Sequence, residues 1–185
     1  MAVLGGRSLR LAAWLLASLA MCVPLRAEQV AEHDVKAAYL YNFTRFVEWP
    51  ADVPAPNQPF RLCVVADDTT THAVNRTMAG ESVGGRTIET VVPRSPREIQ
   101  TCQILFIGRG AMPRAATLLD AAKGFPILVV GEAQGFAKNG VGTIEFVREE
   151  TRVRFEVNVE VARRCGLTIS SRLLQVARGI HGTGQ

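Results

Sequence analysis

Apolar residues recur at three- and four-residue steps through the stretch KAAYLYNFTRFVEWP, residues 36–50. Val35, Ala38, Leu40, Phe43, Phe46 and Val47 keep that period, which predicts an amphipathic helix. Its apolar side is wider than a surface helix needs, so burial against a sheet is expected, with the helix anchoring this end of the chain. Lys36 and Arg45 are too few to make it a basic, membrane-surface helix. Pro50 predicts the helix end at Trp49, and Pro54, Pro56 and Pro59 predict an extended crossing over 51–59. The period then shortens. Residues 60–66 read as a near-continuous apolar strand. Residues 70–79 fit a helix, capped by Asp68 or a neighbouring threonine and stopped by Gly80. Gly84-Gly85 turn the chain into a strand over 86–92. A buried strand over 104–107 leads to a helix over 113–122, with Pro113 at its start and Gly124 past its end. Another buried strand follows over 127–130. Apolar strands alternating with helices predict an α/β fold, a mostly parallel sheet with helices on both faces.

The last third has a different pattern. Asn139-Gly140 marks a turn, and 143–148 and 152–157 are separated by Glu149-Glu150-Thr151, which is hairpin spacing. Val153, Phe155 and Val157 alternate with Arg152, Arg154 and Glu156. One face is therefore buried and one wet, which places an antiparallel C-terminal hairpin at the sheet edge. Asn158 is positioned to cap a short helix that ends at Gly166. Ser170 or Ser171 opens a last helix, in which Leu173, Leu174 and Ala177 pack and Gly179 ends the run.

The opening residues change the picture of where this domain works. Arg7 and Arg10, an apolar run over 11–21 and Leu25-Arg26-Ala27 have the three parts of a secretory signal, predicted to span 1–27. The run is too short for a membrane span, which needs about 20 residues. Lipid attachment at Cys22 is disfavoured by the bulk of Met21. Cleavage after Ala27 leaves 158 of the 185 residues as a single α/β domain, 28–185. Three of the 21 basic residues leave with the signal and none of the 17 acidic ones, so the net charge falls from +4 to +1. That removes the electrostatic case for nucleic acid or an anionic membrane.

Of the four cysteines, Cys63, Cys102 and Cys165 remain. An exported chain meets oxidising conditions, so a disulfide is expected and one thiol is left over. Cys63 and Cys102 are the natural pair if their strands are neighbours. A zinc site is weak, because no Cys-x-x-Cys is present and His33, His72 and His181 are scattered. Cys165 reads as a buried thiol.

Candidate chemistry is thin. Asp67-Asp68 after an apolar strand could hold a divalent cation, as in phosphoacceptor receiver domains, or could cap the following helix. The receiver reading also needs an acid after the third strand, where Gly108-Arg109 stand, and a lysine after the last parallel strand, where Gly131-Glu132 stand. Asp67, Asp68 and Arg109, with Gly131, remain the candidate lining of a small-molecule cleft beyond the strand ends. No nucleophile elbow, metalloprotease motif or phosphate loop is present. Nothing in the sequence brings Glu48 and His181 together as an acid–base pair. No catalytic residue, metal or cofactor is expected.

The stretches KAAYLYNFTRFVEWP, LCVVADD (62–68), CQILFIG (102–108), TRVRFEVN (151–158) and GLTISSRLLQVAR (166–178) resemble the YfiR family of periplasmic regulators. The resemblance runs in order across nearly all of the chain after the signal. It implies a non-catalytic α/β domain, usually dimeric. Such a protein binds the periplasmic part of an inner-membrane diguanylate cyclase and represses it, lowering cyclic di-GMP signalling. It also implies release by an outer-membrane lipoprotein with a peptidoglycan-binding domain. Cys63 and Cys102 match a disulfide position of that family; its second pair, in the hairpin region, is absent. The polar row Arg152, Arg154, Glu156 and Asn158, with Arg172 on the last helix, is the surface expected to meet a partner. The alternative function is a small-molecule-binding or receiver-like domain built on the strand-end cleft.

Overall fold

Strands with side chains buried on both faces are found only where helices cover both, and that is how the central strands are placed. The computed structural model describes residues 24–183, with side chains from Glu32 onward. The chain divides into two units, Met1–Glu32 and His33–Gln185. The described part of the first is the opening of a helix, and the account below concerns the second. The bulk of the predicted signal, with Arg7, Arg10 and Cys22, lies outside the described residues.

Helix α1 (Pro24–Phe46) is followed by β1 (Val47–Glu48) and β2 (Phe60–Val65). Then come α2 (Asp68–Met78), β3 (Ser82–Val83), β4 (Arg86–Val91) and α3 (Pro96–Ile99). β5 (Ile104–Ile107) runs through a short 3-10 turn into α4 (Met112–Ala122), and β6 (Leu128–Gly131) follows. The C-terminal part is β7 (Ile144–Glu149), β8 (Arg152–Asn158), α5 (Val159–Arg164), β9 (Thr168–Ile169), α6 (Ser171–Val176) and β10 (Gly179–His181). The main sheet has the order β10-β8-β7-β6-β5-β2-β4-β3. β4, β2, β5, β6 and β7 are parallel, and β7 and β8 form the antiparallel hairpin with Phe146 opposite Phe155. The α/β class, the parallel sheet and the hairpin therefore stand as predicted.

Strand alternation sorts the core into two layers. Leu62, Val64, Ile104, Phe106, Leu128 and Val130 pack on one side with α1 and α2, through Leu40, Phe43, Val74 and Met78. Cys63, Leu105, Ile107 and Val129 pack on the other with Ile99, Ala115 and Phe136. The aromatic residues of α1 face the hairpin. Tyr39 and Phe43 meet Phe146 and Phe155 with ring centroids between 5.2 and 5.9 Å apart. The Trp49 indole N–H donates to the Gln103 carbonyl at 3.2 Å while its ring meets Phe60 edge-on.

Three local expectations change. Helix α1 stops at Phe46, not Trp49, because Val47 and Glu48 pair antiparallel with Ile169 and Thr168 and the Phe46 carbonyl accepts from Ser170 N–H. The strand before Pro93 ends at Val91. A short strand, β10, also forms where only a helix end was expected. It pairs parallel with β8, Gly179 against Glu156 and His181 against Asn158, so the hairpin's outer strand is already covered over its second half.

Candidate functional site

The ends of β5 and β6, the loop 132–139 and the outward face of the hairpin border an open cavity of about 910 Å³. The chain reaches it from several directions. Arg109 follows β5, Glu132 follows β6, Lys138 lies on the loop, and Glu145 and Glu156 project from the hairpin. Glu145 and Glu156 are directly opposed across the two strands. Like charges so placed repel unless each is held by partners of its own, and both are. Glu145 is buried and accepts the N–H groups of Gly135 and Ala137 at 3.0 and 3.2 Å. Glu156 accepts from Arg178 and from His181 Nε2, both at 2.8 Å. Glu132 is held by buried Lys36 at 3.1 Å. A buried acid and base so paired must stay together, because either one alone would be an uncompensated charge.

The polar row of β8 lies on the same face as Glu145 and Glu149. Arg152 stands opposite Glu149, and Arg154 opposite Val147. Arg154 Nε is shielded from solvent and has no hydrogen-bond partner. Asn158 leaves this row. It is buried, its Oδ1 caps α5 by accepting from Glu160 and Val161 N–H, and its Nδ2 donates to the Ala137 carbonyl at 2.8 Å. Asn158 is thus committed to the fold, and the outward row ends at Glu156. Arg172 is exposed on α6 and does not line the cavity.

Asp67 and Asp68 follow β2, beside the strand that Arg109 follows, but are used differently. Asp67 is the cap of α2, accepting Thr70 N–H at 2.9 Å and Thr70 Oγ1–H at 3.0 Å, while Asp68 is the exposed first residue of the helix. Burial pushes the Asp67 carboxyl up, but the two Thr70 bonds and nearby His33 outweigh it and hold its pKa below the usual range. The gap between the ends of β2 and β5 is closed. Gly108 N–H donates to the Val65 carbonyl at 2.9 Å, and a Cβ on Gly108 would lie 3.0 Å from that of Ala66. Neither acid lines the cavity that Arg109 enters. Gly131 does not line it either, since a Cβ there would lie 2.7 Å from the Phe136 ring, which covers it.

Cys63 and Cys102 form a disulfide, their Cα atoms 5.9 Å apart. Cys165 is a free, half-buried thiol; burial pushes its pKa up and Arg164 only partly offsets this. Among the described residues no group of three or more His, Cys, Asp or Glu side chains could hold a metal ion, and no helix is long and apolar enough to cross a membrane. Sequence reasoning missed Lys36, Glu132, Glu145, Arg178 and His181. Glu132, Glu145 and His181 lie at or near strand ends, but Lys36 is inside α1 and Arg178 precedes β10, so no local pattern joined them.

The fold and this site define an α/β domain whose strand-end cavity is continuous with the polar face of a C-terminal hairpin. The YfiR/HmsC-like family model matches residues 33–178, and the chain belongs to that family. No protein of curated function matches the sequence. Among solved structures it resembles an ABC domain in complex with L-Trp from Streptococcus pneumonia, with 14% identity and a TM-score of 0.54. It also resembles a conserved domain protein from Vibrio cholerae O1 biovar El Tor, with 10% identity and a TM-score of 0.52. Each match covers 78% of this chain but only 60% and 59% of the respective neighbour, so the chain spans about three fifths of their length. The likeness is one of fold.

Proposed function

We propose that this protein, after removal of residues 1–27, is a periplasmic, non-catalytic regulator that binds the periplasmic part of an inner-membrane diguanylate cyclase and holds it inactive. The observation that carries the reading is the family match over residues 33–178, since the family suggests a periplasmic regulator of diguanylate cyclase. The site is consistent with binding. Its carboxylates are held by fixed partners, while on the outward face of β8 Arg152 is exposed and Arg154 half-buried, with one solvent-shielded donor of Arg154 unmet. A partner carboxylate at that donor would gain a charge-assisted bond. Homodimer formation and sequestration by an outer-membrane lipoprotein belong to the same reading.

The test is direct binding between the purified mature domain and the periplasmic domain of a cyclase from the same cell. Exchanging Arg152→Glu and Arg154→Glu together should weaken the complex by about tenfold or more while leaving the circular dichroism spectrum unchanged. Deleting the gene should raise cyclic di-GMP. A deletion strain with unchanged cyclic di-GMP, together with no binding to any cyclase of the cell, would sink the reading.

A further inference from the structure

The cavity where the ends of β5 and β6 meet the hairpin has the volume of a small-molecule site, about 910 Å³. Arg109, Lys138 and Arg178 line it, with Arg148 bordering it on the other face of β7, against three carboxylates, Glu132, Glu145 and Glu156. The acids are already satisfied: Glu132 by Lys36, Glu145 by two backbone N–H groups, and Glu156 by Arg178 and His181. Two of the bases have partners as well, Arg148 donating through Nε to the Glu150 carbonyl at 3.1 Å and Arg178 pairing with acids. Arg178 is shared between Glu149 and Glu156, but Arg109 and Lys138 are exposed and make no ion pair among the described residues. Protein walls of low dielectric concentrate such a field within a concave site. Ala133 and Val147 supply apolar wall beside it.

We propose that this cavity binds a small organic anion. Its carboxylate or phosphate group is taken by Arg109 and Lys138, and its carbon skeleton rests against Ala133 and Val147. Arg109 is suited to the first role because a guanidinium offers two parallel donors to either group. The sequence Gly108-Arg109-Gly110 leaves that side chain uncrowded by its neighbours. Glu156 and Arg178 line the same cavity and tie β10 to β8, so an occupant also borders the row assigned above to the cyclase. The inference does not rest on the cyclase assignment, because ligand binding is measured on the isolated protein.

The experiment is isothermal titration of the mature protein with three probes: citrate, 3-phosphoglycerate and inorganic phosphate. The expected result is saturable binding of citrate or 3-phosphoglycerate with Kd at or below about 1 mM, the carboxylate and phosphate arms showing which head group is preferred. Arg109→Ala with Lys138→Ala should weaken that binding by about tenfold or more. Both residues are exposed, so the melting temperature without ligand should not move, and Arg97→Ala on α3 should bind as wild type. Charge reversal by Lys138→Glu should weaken binding at least as much as Lys138→Ala. Absence of saturable binding by either organic probe, or equal binding by wild type and the double alanine variant, would overturn the proposal.

Discussion

Two adjacent acids at the end of β2 meet different fates because only one of them reaches back to the helix. Asp67 has extended backbone, φ −69° and ψ 165°, and from there its carboxylate spans to Thr70 N–H and Oγ1. Asp68 already has the helix beneath it and points to water. Replacing Asp67 with Ala leaves the opening N–H groups of α2 without that acceptor, which should cost about 1 kcal/mol. A chain of this length would then melt about 2–4 °C lower. The direction of the pKa shift adds a pH signature. The folded carboxyl titrates below its unfolded value of about 4, so its contribution is complete above that value and is lost as pH falls through the depressed folded pKa. Urea denaturation of wild type and Asp67→Asn should therefore differ less at about pH 3 than at pH 7, since Asn keeps the cap but cannot titrate. An equal difference at both pH values would show that ionisation of Asp67 contributes nothing.

At the scale of elements, β10 and the disulfide are the parts whose removal is most informative. β10 covers the backbone of β8 from Glu156 to Asn158, and Arg178 N–H donates to the Phe155 carbonyl just before it. Ending the chain after Ala177 exposes that edge and frees Glu156 from both Arg178 and His181. An uncovered edge is a template for pairing with another chain, so the truncated protein should self-associate in light scattering where the full chain does so less. If its mass distribution is unchanged, β10 is not protecting an edge. The Cys63–Cys102 bond closes a loop of 39 residues. In the chain-entropy account, the Cys63→Ala/Cys102→Ala pair should lose about 4 kcal/mol, read as a lower urea midpoint with a steeper slope, because the unfolded chain without the cross-link is less compact. These elements also show what the sequence could and could not disclose. Strands β2, β5 and β6 were legible because side chains buried on both faces leave continuous apolar runs, and the hairpin because one wet face leaves alternation. β1, β9 and β10 are two or three residues long and exist through their pairing partners, so no local period marks them. The same holds for the site. Arg109 stood out beside glycines, but Glu145 looked like any polar strand residue, and its role depends on N–H groups 8 and 10 residues away. Gly131 suggested an open cleft until Phe136 was seen to lie over it.

At the scale of the whole molecule, the polar hairpin face is held by partners drawn from distant parts of the chain. Helix α1 braces its buried side through Tyr39 and Phe43, and Lys36 of the same helix reaches Glu132 beneath the cavity. A surface held in this way can act as a rigid docking face, and repression then becomes a matter of unequal affinity. To bias a cyclase a hundredfold towards its inactive state, the regulator must bind that state more tightly by about 2.7 kcal/mol. Exposed pairs contribute little each, so Arg152 and Arg154 would supply this mainly through orientation and the one desolvated donor on Arg154. Salt separates these contributions. Raising ionic strength from about 0.1 M to about 1 M shortens the screening length from roughly 10 Å to roughly 3 Å, which removes long-range attraction and spares contact between buried groups. The association rate with the cyclase domain should therefore fall steeply with salt for the wild type and only weakly for Arg152→Ala/Arg154→Ala. Dissociation should be accelerated chiefly by Arg154→Ala at every salt concentration. If both variants instead slow association equally and leave dissociation untouched, Arg154 is another steering charge, and the discrimination between cyclase states must be made by another part of the surface.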